Sequence, residues 1–146
     1  MNENYIISII GRQIIDGDEN EVAVTTLGSY TKKGENRFIV YKEYDTQHSA
    51  KPITSILKVE GDNKVTLVKN GTQTSRLILE NNKRHMCHYN TDFGSLMIGV
   101  FTNKIICNLS DKGGSLDVVY SLDINSALTS INEIHIKIKE NEKVDV

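Results

Sequence analysis

The sequence has few prolines and cysteines, and it lacks the apolar stripe of amphipathic helices and the excess of basic residues that is typical of nucleic-acid-binding proteins. It has one proline and two cysteines among 146 residues, and no window of about twelve residues carries a convincing apolar stripe at helical spacing. Its 17 basic and 19 acidic residues give a formal net charge of -2, so no large positive field attracts phosphate backbones. We therefore expect no long amphipathic helix and no nucleic acid partner.

The first residues lack the features of an export signal or a membrane span. Residues 1–4 carry no positively charged side chain, and the apolar run at residues 6–10 is short and is interrupted by Ser8. We therefore expect a cytoplasmic protein without membrane association. In that reducing compartment Cys87 and Cys107 are expected to be free thiols that fill core space rather than a disulfide.

Short β-branched runs alternate with turn-forming residue pairs. Asn70-Gly71 is typical of a tight primed hairpin turn, and comparable pairs recur at strand-length spacing. The apolar alternation predicts strands at about these positions: 5–15, 22–33, 37–44, 54–60, 64–69, 72–80, 84–91, 94–109, 116–124 and 134–138.

Several local features are expected along these strands. Gly11 predicts a bulge or a bend in the first strand, and the long run at residues 94–109 is expected to kink near Asn103. Residues 126–132 have room for one helical turn. The polar residues 141–146 are expected to fray as a flexible tail, which leaves residues 1–140 as a single domain.

So many strands in one small domain must hide their edges, which favours a closed barrel or a packed sandwich. Consecutive hairpins suit an up-and-down barrel, whereas a Greek key needs longer crossing connections. We therefore predict an all-β fold, an antiparallel up-and-down β-barrel of about eight to ten strands.

Glycine, tyrosine and aliphatic residues recur in a fixed order through nearly the whole chain. The motifs are Gly28-x-Tyr30, Ile39-x-Tyr41-x-Glu43, Val65-x-Leu67-x-Lys69-x-Gly71, Tyr89-x-Thr91-x-x-Gly94-x-Leu96 and Tyr120-x-Leu122. In this order and spacing the sequence resembles the YwiB-like family of small bacterial proteins. The resemblance implies a lipocalin-like, calycin-type barrel. It implies no chemistry, because the function of that family is unknown.

The hairpin of the second and third predicted strands gathers polar side chains. If residues 33–36 form its loop, then Tyr30, Tyr41 and Glu43 lie on one side, with Gly28 opposite Tyr41. That face would suit a barrel mouth that binds a small polar ligand. We favour the alternative, an outer face, because polar faces of antiparallel sheets are usually wet. Under that alternative the core side carries Leu27, Phe38 and Val40.

Two more polar residues are candidates for the same lumen. Pairing across the turn at residues 70–71 should place Arg76 opposite Val65, which would offer a forked donor to a carboxylate or phosphate. We favour an outward position for Arg76, because charged groups are rarely fully buried. In the following hairpin Tyr89 is expected opposite Leu96.

Arg84, His85, Cys87 and His88 form a group with metal-binding residue types. On a strand His85 and Cys87 share one face and His88 lies on the other, so the three cannot ligate one ion. The sequence contains no Gly-rich phosphate loop, zinc-peptidase signature or nucleophile elbow. We therefore expect no metal, no cofactor and no catalytic residue.

From the predicted architecture we expect a non-catalytic module that binds a small molecule inside its barrel. The candidate ligand-binding residues are Tyr30, Tyr41, Glu43, Arg76 and Tyr89. The alternative is a structural or protein-interaction barrel whose interior is filled by its own side chains. A hydrolase or isomerase comes third, and the cavity volume separates the first two hypotheses.

Overall fold

The computed structural model describes residues 4–43, 52–71, 74–91 and 94–141, without the side chains of residues 89–91. Within these ranges the regular structure consists of ten strands and no helix. The strands are β1 (Tyr5–Ile15), β2 (Asp18–Lys33), β3 (Asn36–Glu43), β4 (Ile53–Glu60), β5 (Lys64–Asn70), β6 (Thr74–Glu80), β7 (Arg84–Thr91), β8 (Gly94–Ser110), β9 (Gly113–Ile124) and β10 (Ala127–Glu140).

The strands form one antiparallel sheet in the order β6-β5-β4-β3-β2-β1-β10-β9-β8-β7. Sequence neighbours pair throughout, except β6 and β7, and the first strand pairs with the last from Tyr5 with Glu140 to Ile14 with Ile131. The two edge strands, β6 and β7, lie side by side, so the sheet curls into a nearly closed barrel. This confirms the predicted all-β, up-and-down architecture.

The seam between β6 and β7 is held by individual hydrogen bonds in place of a ladder. The Ile78 amide donates to the Cys87 sulfur at 3.5 Å, and His85 Nε2 lies 2.8 Å from Glu80 Oε1. In the turn that follows β6, the Asn82 amide donates to a β8 carbonyl at 2.8 Å. These contacts bring the two edges together without regular pairing.

The two ends of the barrel differ. We call the end that carries the turns at residues 34–35, 61–63, 81–83 and 111–112 the closed end, and the opposite one the open end. Aliphatic side chains fill the lumen towards the closed end, and each contributes about 1.5–3 kcal/mol on burial. The fully buried ones include Ile7, Ile39, Val59, Val65, Leu79, Val100, Leu116 and Val118.

Tyr30 and Arg37 seal the closed end. The Tyr30 hydroxyl donates to the Ser110 carbonyl at 2.5 Å, and Arg37 Nη1 donates to both the Tyr30 hydroxyl at 3.0 Å and the Ser110 carbonyl at 3.1 Å. The Tyr5 ring meets the Tyr30 ring edge-on, with 5.4 Å between centroids. Burial is the main reason why the pKa of Tyr30 is raised above its ordinary value.

Several local predictions are confirmed. The bounds of β1 and β7 match the predicted runs, and Gly28 pairs with Tyr41 as the 33–36 loop requires. Tyr89 pairs with Leu96. The expected kink near Asn103 corresponds to a register shift between residues 102 and 104.

Neither a bulge at Gly11 nor a helical turn at residues 126–132 is found. Gly11 makes no bulge, because it pairs in register with Val22 on one side and Ile134 on the other. Residues 126–132 form no helical turn, because Asn125 and Ser126 adopt positive φ angles and turn the chain directly into β10. The predicted tail, apart from Asn141, lies outside the described residues.

The register predicted across residues 70–71 is also wrong. Asn70 pairs with Thr74, and Val68 rather than Val65 is the partner of Arg76. Asn70 therefore still belongs to the ladder, and the connection is longer than a two-residue turn. This change of register places Arg76 on the outer face of the barrel.

Candidate functional site

A cavity of about 800 Å³ occupies the open-end half of the lumen. Its size falls within the range of small-molecule pockets, about 300–1,000 Å³. The cavity reaches the gap where β2 leaves β3, because among the described residues the β2 segment before Gly28 pairs only with β1. Its apolar wall is formed by Ile9, Val24, Leu57, Leu67, Leu77, Leu122, Ile134 and Ile136.

Gly28 makes room for the aromatic ring on the wall of the cavity. It lies opposite Tyr41 in the β2–β3 ladder. A Cβ atom at this position would lie 2.5 Å from the Val40 carbonyl oxygen and would overlap the Ile7 side chain. The missing side chain therefore allows β3 to lie close to β1 and β2 with the Tyr41 ring directed into the lumen.

Tyr41 is a buried phenol at the base of the cavity. Only 5% of the residue is exposed, and this burial raises its pKa far above the ordinary value for tyrosine. The nearby Glu43 carboxylate raises the pKa further, and Tyr120, which projects from β9, adds a smaller effect. The phenol therefore stays protonated at neutral pH and can donate a hydrogen bond, for which Ser55 and Glu43 are the neighbouring partners within the protein.

The charged side chains that point into the cavity form an ion pair. Lys69 Nζ lies 3.7 Å from Glu43 Oε2. Three other charged residues border the cavity, but strand alternation directs their side chains outward. Arg12 Nη1 lies 3.4 Å from Glu133 Oε2 on the outside, and Lys42 is exposed. The inward charges among the described lining residues therefore cancel.

Three carboxamides form a row on β2, β1 and β10. Gln13 on β1 pairs with Asn20 on β2 and with Asn132 on β10, and Asn132 in turn pairs with Tyr120. All four residues line the cavity. The Asn132 amide nitrogen donates to the Ser130 hydroxyl at 3.0 Å. Carboxamides offer donors and acceptors without charge.

The sequence prediction missed this carboxamide row. The three residues come from distant parts of the chain, and the pairing of the first strand with the last brings them together. Each lies at a strand position whose side chain points towards the lumen. No short motif joins them, so only a correct β1–β10 register would have revealed the row.

The five predicted ligand-binding residues are not all at one site. Tyr41 and Glu43 line the cavity. Tyr30 is also buried in the barrel, but it lies at the closed end, where it bonds to the Ser110 carbonyl. Arg76 is exposed on the outer face. The side chain of Tyr89 lies outside the described residues.

The favoured assignment of the Tyr30–Tyr41 face to the outside is wrong. Both tyrosines are buried, whereas Leu27 on the opposite face is 45% exposed. The rule that polar faces are wet fails here because the inner face of a closed barrel can satisfy hydroxyl groups with its own backbone and side chains. The bond from Tyr30 to Ser110 is one such case.

The group with metal-binding residue types does not converge. Cys87 is buried in the core, whereas His88 is exposed on the other side of β7. Among the described residues no set of three or more His, Cys, Asp or Glu side chains has the arrangement of a metal site. Cys87 and Cys107 are both free thiols. Nor does the described part of the chain contain a helix long and apolar enough to cross a membrane.

Residues 7–136 match the family described as "Domain of unknown function (DUF1934)". The chain belongs to this family. The DUF1934 barrel is also similar to the crystal structure of the ywiB protein from Bacillus subtilis, with a TM-score of 0.81 at 17% sequence identity. The similarity covers 94% of this chain and 92% of that one, and at this identity it shows the fold alone. It confirms the YwiB-like resemblance of the sequence. A comparison with curated proteins gave no match.

Proposed function

We propose that this barrel binds a small molecule in the open-end half of its lumen, without covalent chemistry. The observation that carries the proposal is the cavity of about 800 Å³, which combines aliphatic walls with a few convergent polar groups. Apolar surface supplies affinity in such pockets, and the polar groups set orientation and specificity.

The state of the polar groups supports binding rather than catalysis. The raised pKa of Tyr41 keeps its hydroxyl protonated, so it can donate a hydrogen bond but is a poor base or nucleophile. Glu43 is engaged by Lys69. A cytoplasmic location belongs to the same proposal, and the two free cysteines are consistent with a reducing compartment.

The alternative function, a structural or interaction barrel filled by its own side chains, fits one half of the molecule. Towards the closed end the lumen is packed with aliphatic residues, and Tyr30 and Arg37 cover it. The open-end half differs, because its volume is not filled by the described side chains. The two hypotheses therefore make different predictions for a substitution that fills the cavity.

A matched pair of tryptophan substitutions tests the proposed function. Leu67 is buried and lines the cavity, whereas Val68, the next residue on β5, faces outward. With Nile red as an uncharged fluorescent probe, Leu67→Trp should weaken binding at least about tenfold because the indole occupies the cavity. Val68→Trp should leave binding unchanged. Equal binding by both variants, or no binding by the wild type, contradicts the proposal.

A further inference from the structure

We infer that the ligand of this cavity is an amphiphile without net charge. The inference rests on the proposed function and specifies the class of ligand. Three features of the cavity carry it: the balance of its charges, the uncharged chemistry of its other polar groups and the apolar surface that lies beside them.

The balance of charge argues against an ionic ligand. Glu43 and Lys69 are the inward-directed charges among the described lining residues, and they lie 3.7 Å apart. A carboxylate bound to Lys69 would compete with Glu43, and an ammonium group bound to Glu43 would compete with Lys69. Either ion would leave a partly desolvated charge without its partner. An uncharged head group leaves the pair intact.

The base of the cavity offers donors and acceptors that carry no charge. Tyr41, Tyr120 and Asn132 line it and are each less than a tenth exposed. Gln13 and Asn20 extend the carboxamide row from Asn132 towards the open end, and Asn20 is exposed. Amides and phenols in this arrangement suit a carboxamide or hydroxyl head group, which can both donate and accept.

Exposed apolar side chains lie at the open end of the lumen. Val22 lines the cavity and is 64% exposed. Strand alternation also directs Leu96 and Ile124 towards the lumen side at the open end, where they are 46% and 39% exposed. Asn20 and its partner Gln13 lie closer to the β1–β2 turn than Val22 does, so polar and apolar groups lie side by side at this end. An amphiphile can place its apolar tail against such apolar surface and bond its head group to the neighbouring polar groups.

Three probes with the same chain length test the charge preference: decanamide, decanoate and decylamine. Each is titrated against Nile red bound to the folded protein at pH 7.5. We expect decanamide to displace Nile red with a dissociation constant at least about tenfold lower than either ion. Equal or tighter binding of decanoate or decylamine to the wild type overturns the inference.

Charge variants test the cause of that preference. Glu43→Gln leaves Lys69 unpaired and should improve decanoate binding at least about tenfold, and Lys69→Met should do the same for decylamine. Lys42→Met is the matched control, because it removes the same charge from the neighbouring outward position and should change neither constant. Gains that are equal in Lys42→Met and Lys69→Met contradict the role of the ion pair.

The outcomes separate this inference from the proposed function. If Nile red binds the wild type but not Leu67→Trp, and the ions bind as well as decanamide, small-molecule binding stands and charge selectivity fails. If Nile red does not bind the wild type, both fail. If a charge variant does not fold, as judged by circular dichroism, the ranking of the three probes on the wild type decides alone.

Discussion

Gly28 and Gly11 are both lumen-side strand glycines, but their surroundings differ. A Cβ atom on Gly28 would lie 2.5 Å from the Val40 carbonyl oxygen, whereas a Cβ atom on Gly11 would have nothing within 4 Å. Gly28 therefore permits a close approach of strands beside Tyr41. Gly11 only leaves open space on the cavity wall. Substitution by alanine should therefore change the free energy of unfolding in opposite directions at the two positions.

Gly28→Ala should reduce the free energy of unfolding by about 1–3 kcal/mol, because the added methyl group forces β2 away from its neighbours. Gly11→Ala should change it by less than about 1 kcal/mol and in the stabilising direction, because alanine loses less backbone entropy in a strand. Urea unfolding of both variants measures the difference. A Gly28→Ala protein as stable as the wild type would contradict the steric account.

Tyr41 should make stability depend on alkaline pH. Its folded-state pKa is raised by burial. Below the unfolded-state pKa of about 10 the residue is protonated in both states, so its ionisation does not change the free energy of unfolding. Above about pH 10 the Tyr41 phenol ionises in the unfolded state but not in the folded state, so the free energy of unfolding falls. Tyr41→Phe should reduce this decline between pH 9 and 11, as measured by urea midpoints. An unchanged slope would show that the phenol ionises freely in the folded protein.

The β6–β7 seam is the interrupted part of the barrel wall. At its centre the Ile78 amide donates to the sulfur of Cys87, a weaker acceptor than a carbonyl oxygen, whereas β6 has a regular ladder with β5 on its other side. Local opening of the wall should therefore begin here rather than at the β1–β10 junction.

Amide hydrogen exchange tests this difference within one strand. The Ile78 amide should exchange at least about tenfold faster than the neighbouring amides of Leu77 and Leu79, which point towards β5. Cys87→Ala should increase the rate at Ile78 further and leave Leu77 unchanged. Equal protection of the three amides in the wild type would mean that the seam is as stable as a ladder.

Some registers could be predicted from the sequence because local turn chemistry sets them. The 33–36 loop gave the pairing of Gly28 with Tyr41 correctly. The Asn70-Gly71 pair led to a wrong register between β5 and β6, because Asn70 is still a ladder residue opposite Thr74. A slip of an odd number of residues exchanges the faces of a strand, which is why Arg76 was a candidate for the lumen.

The inward face of each hairpin could not be predicted from its own sequence. Tyr30 and Tyr41 face the lumen because the sheet closes through the pairing of β1 with β10, a contact between the two ends of the chain. Closure decides which polar face is inside, and it also assembles the row of Gln13 and Asn132. The fold class was therefore predictable. Of the four candidate residues whose side chains the structure describes, Tyr41 and Glu43 lie at the cavity and Tyr30 and Arg76 do not.

On the scale of the whole molecule, the order of strands is a circular permutation of their sequence order. The first and last strands meet beside the bond that the Asn141 amide donates to the Asn4 carbonyl at 2.8 Å, and the gap in pairing lies between β6 and β7. A chain that began with β7 and ended with β6 would pair every strand with its sequence neighbour.

A circular permutant tests this arrangement. Joining the original ends with a short Gly-Ser linker and opening the chain between Asn82 and Lys83 keeps every ladder and makes the β1–β10 pairing local. It should refold faster than the wild type, because folding rates rise as contacts become more local. A control permutant opened between Gly34 and Glu35 makes the β2–β3 pairing long-range, so it should not refold faster than the wild type. Stopped-flow refolding compares the two, and equal rates would contradict the prediction.

The pairing of β1 with β10 also sets a delay during synthesis on the ribosome. The first strand carries an isoleucine-rich sequence, Tyr5–Ile15, and one of its edges has no partner until residues 127–140 have been made. At about 5–20 residues per second, the intervening stretch takes on the order of ten seconds to translate. Throughout that time the nascent chain holds an apolar strand with an open edge, and it is there that a chaperone would best protect it from other chains.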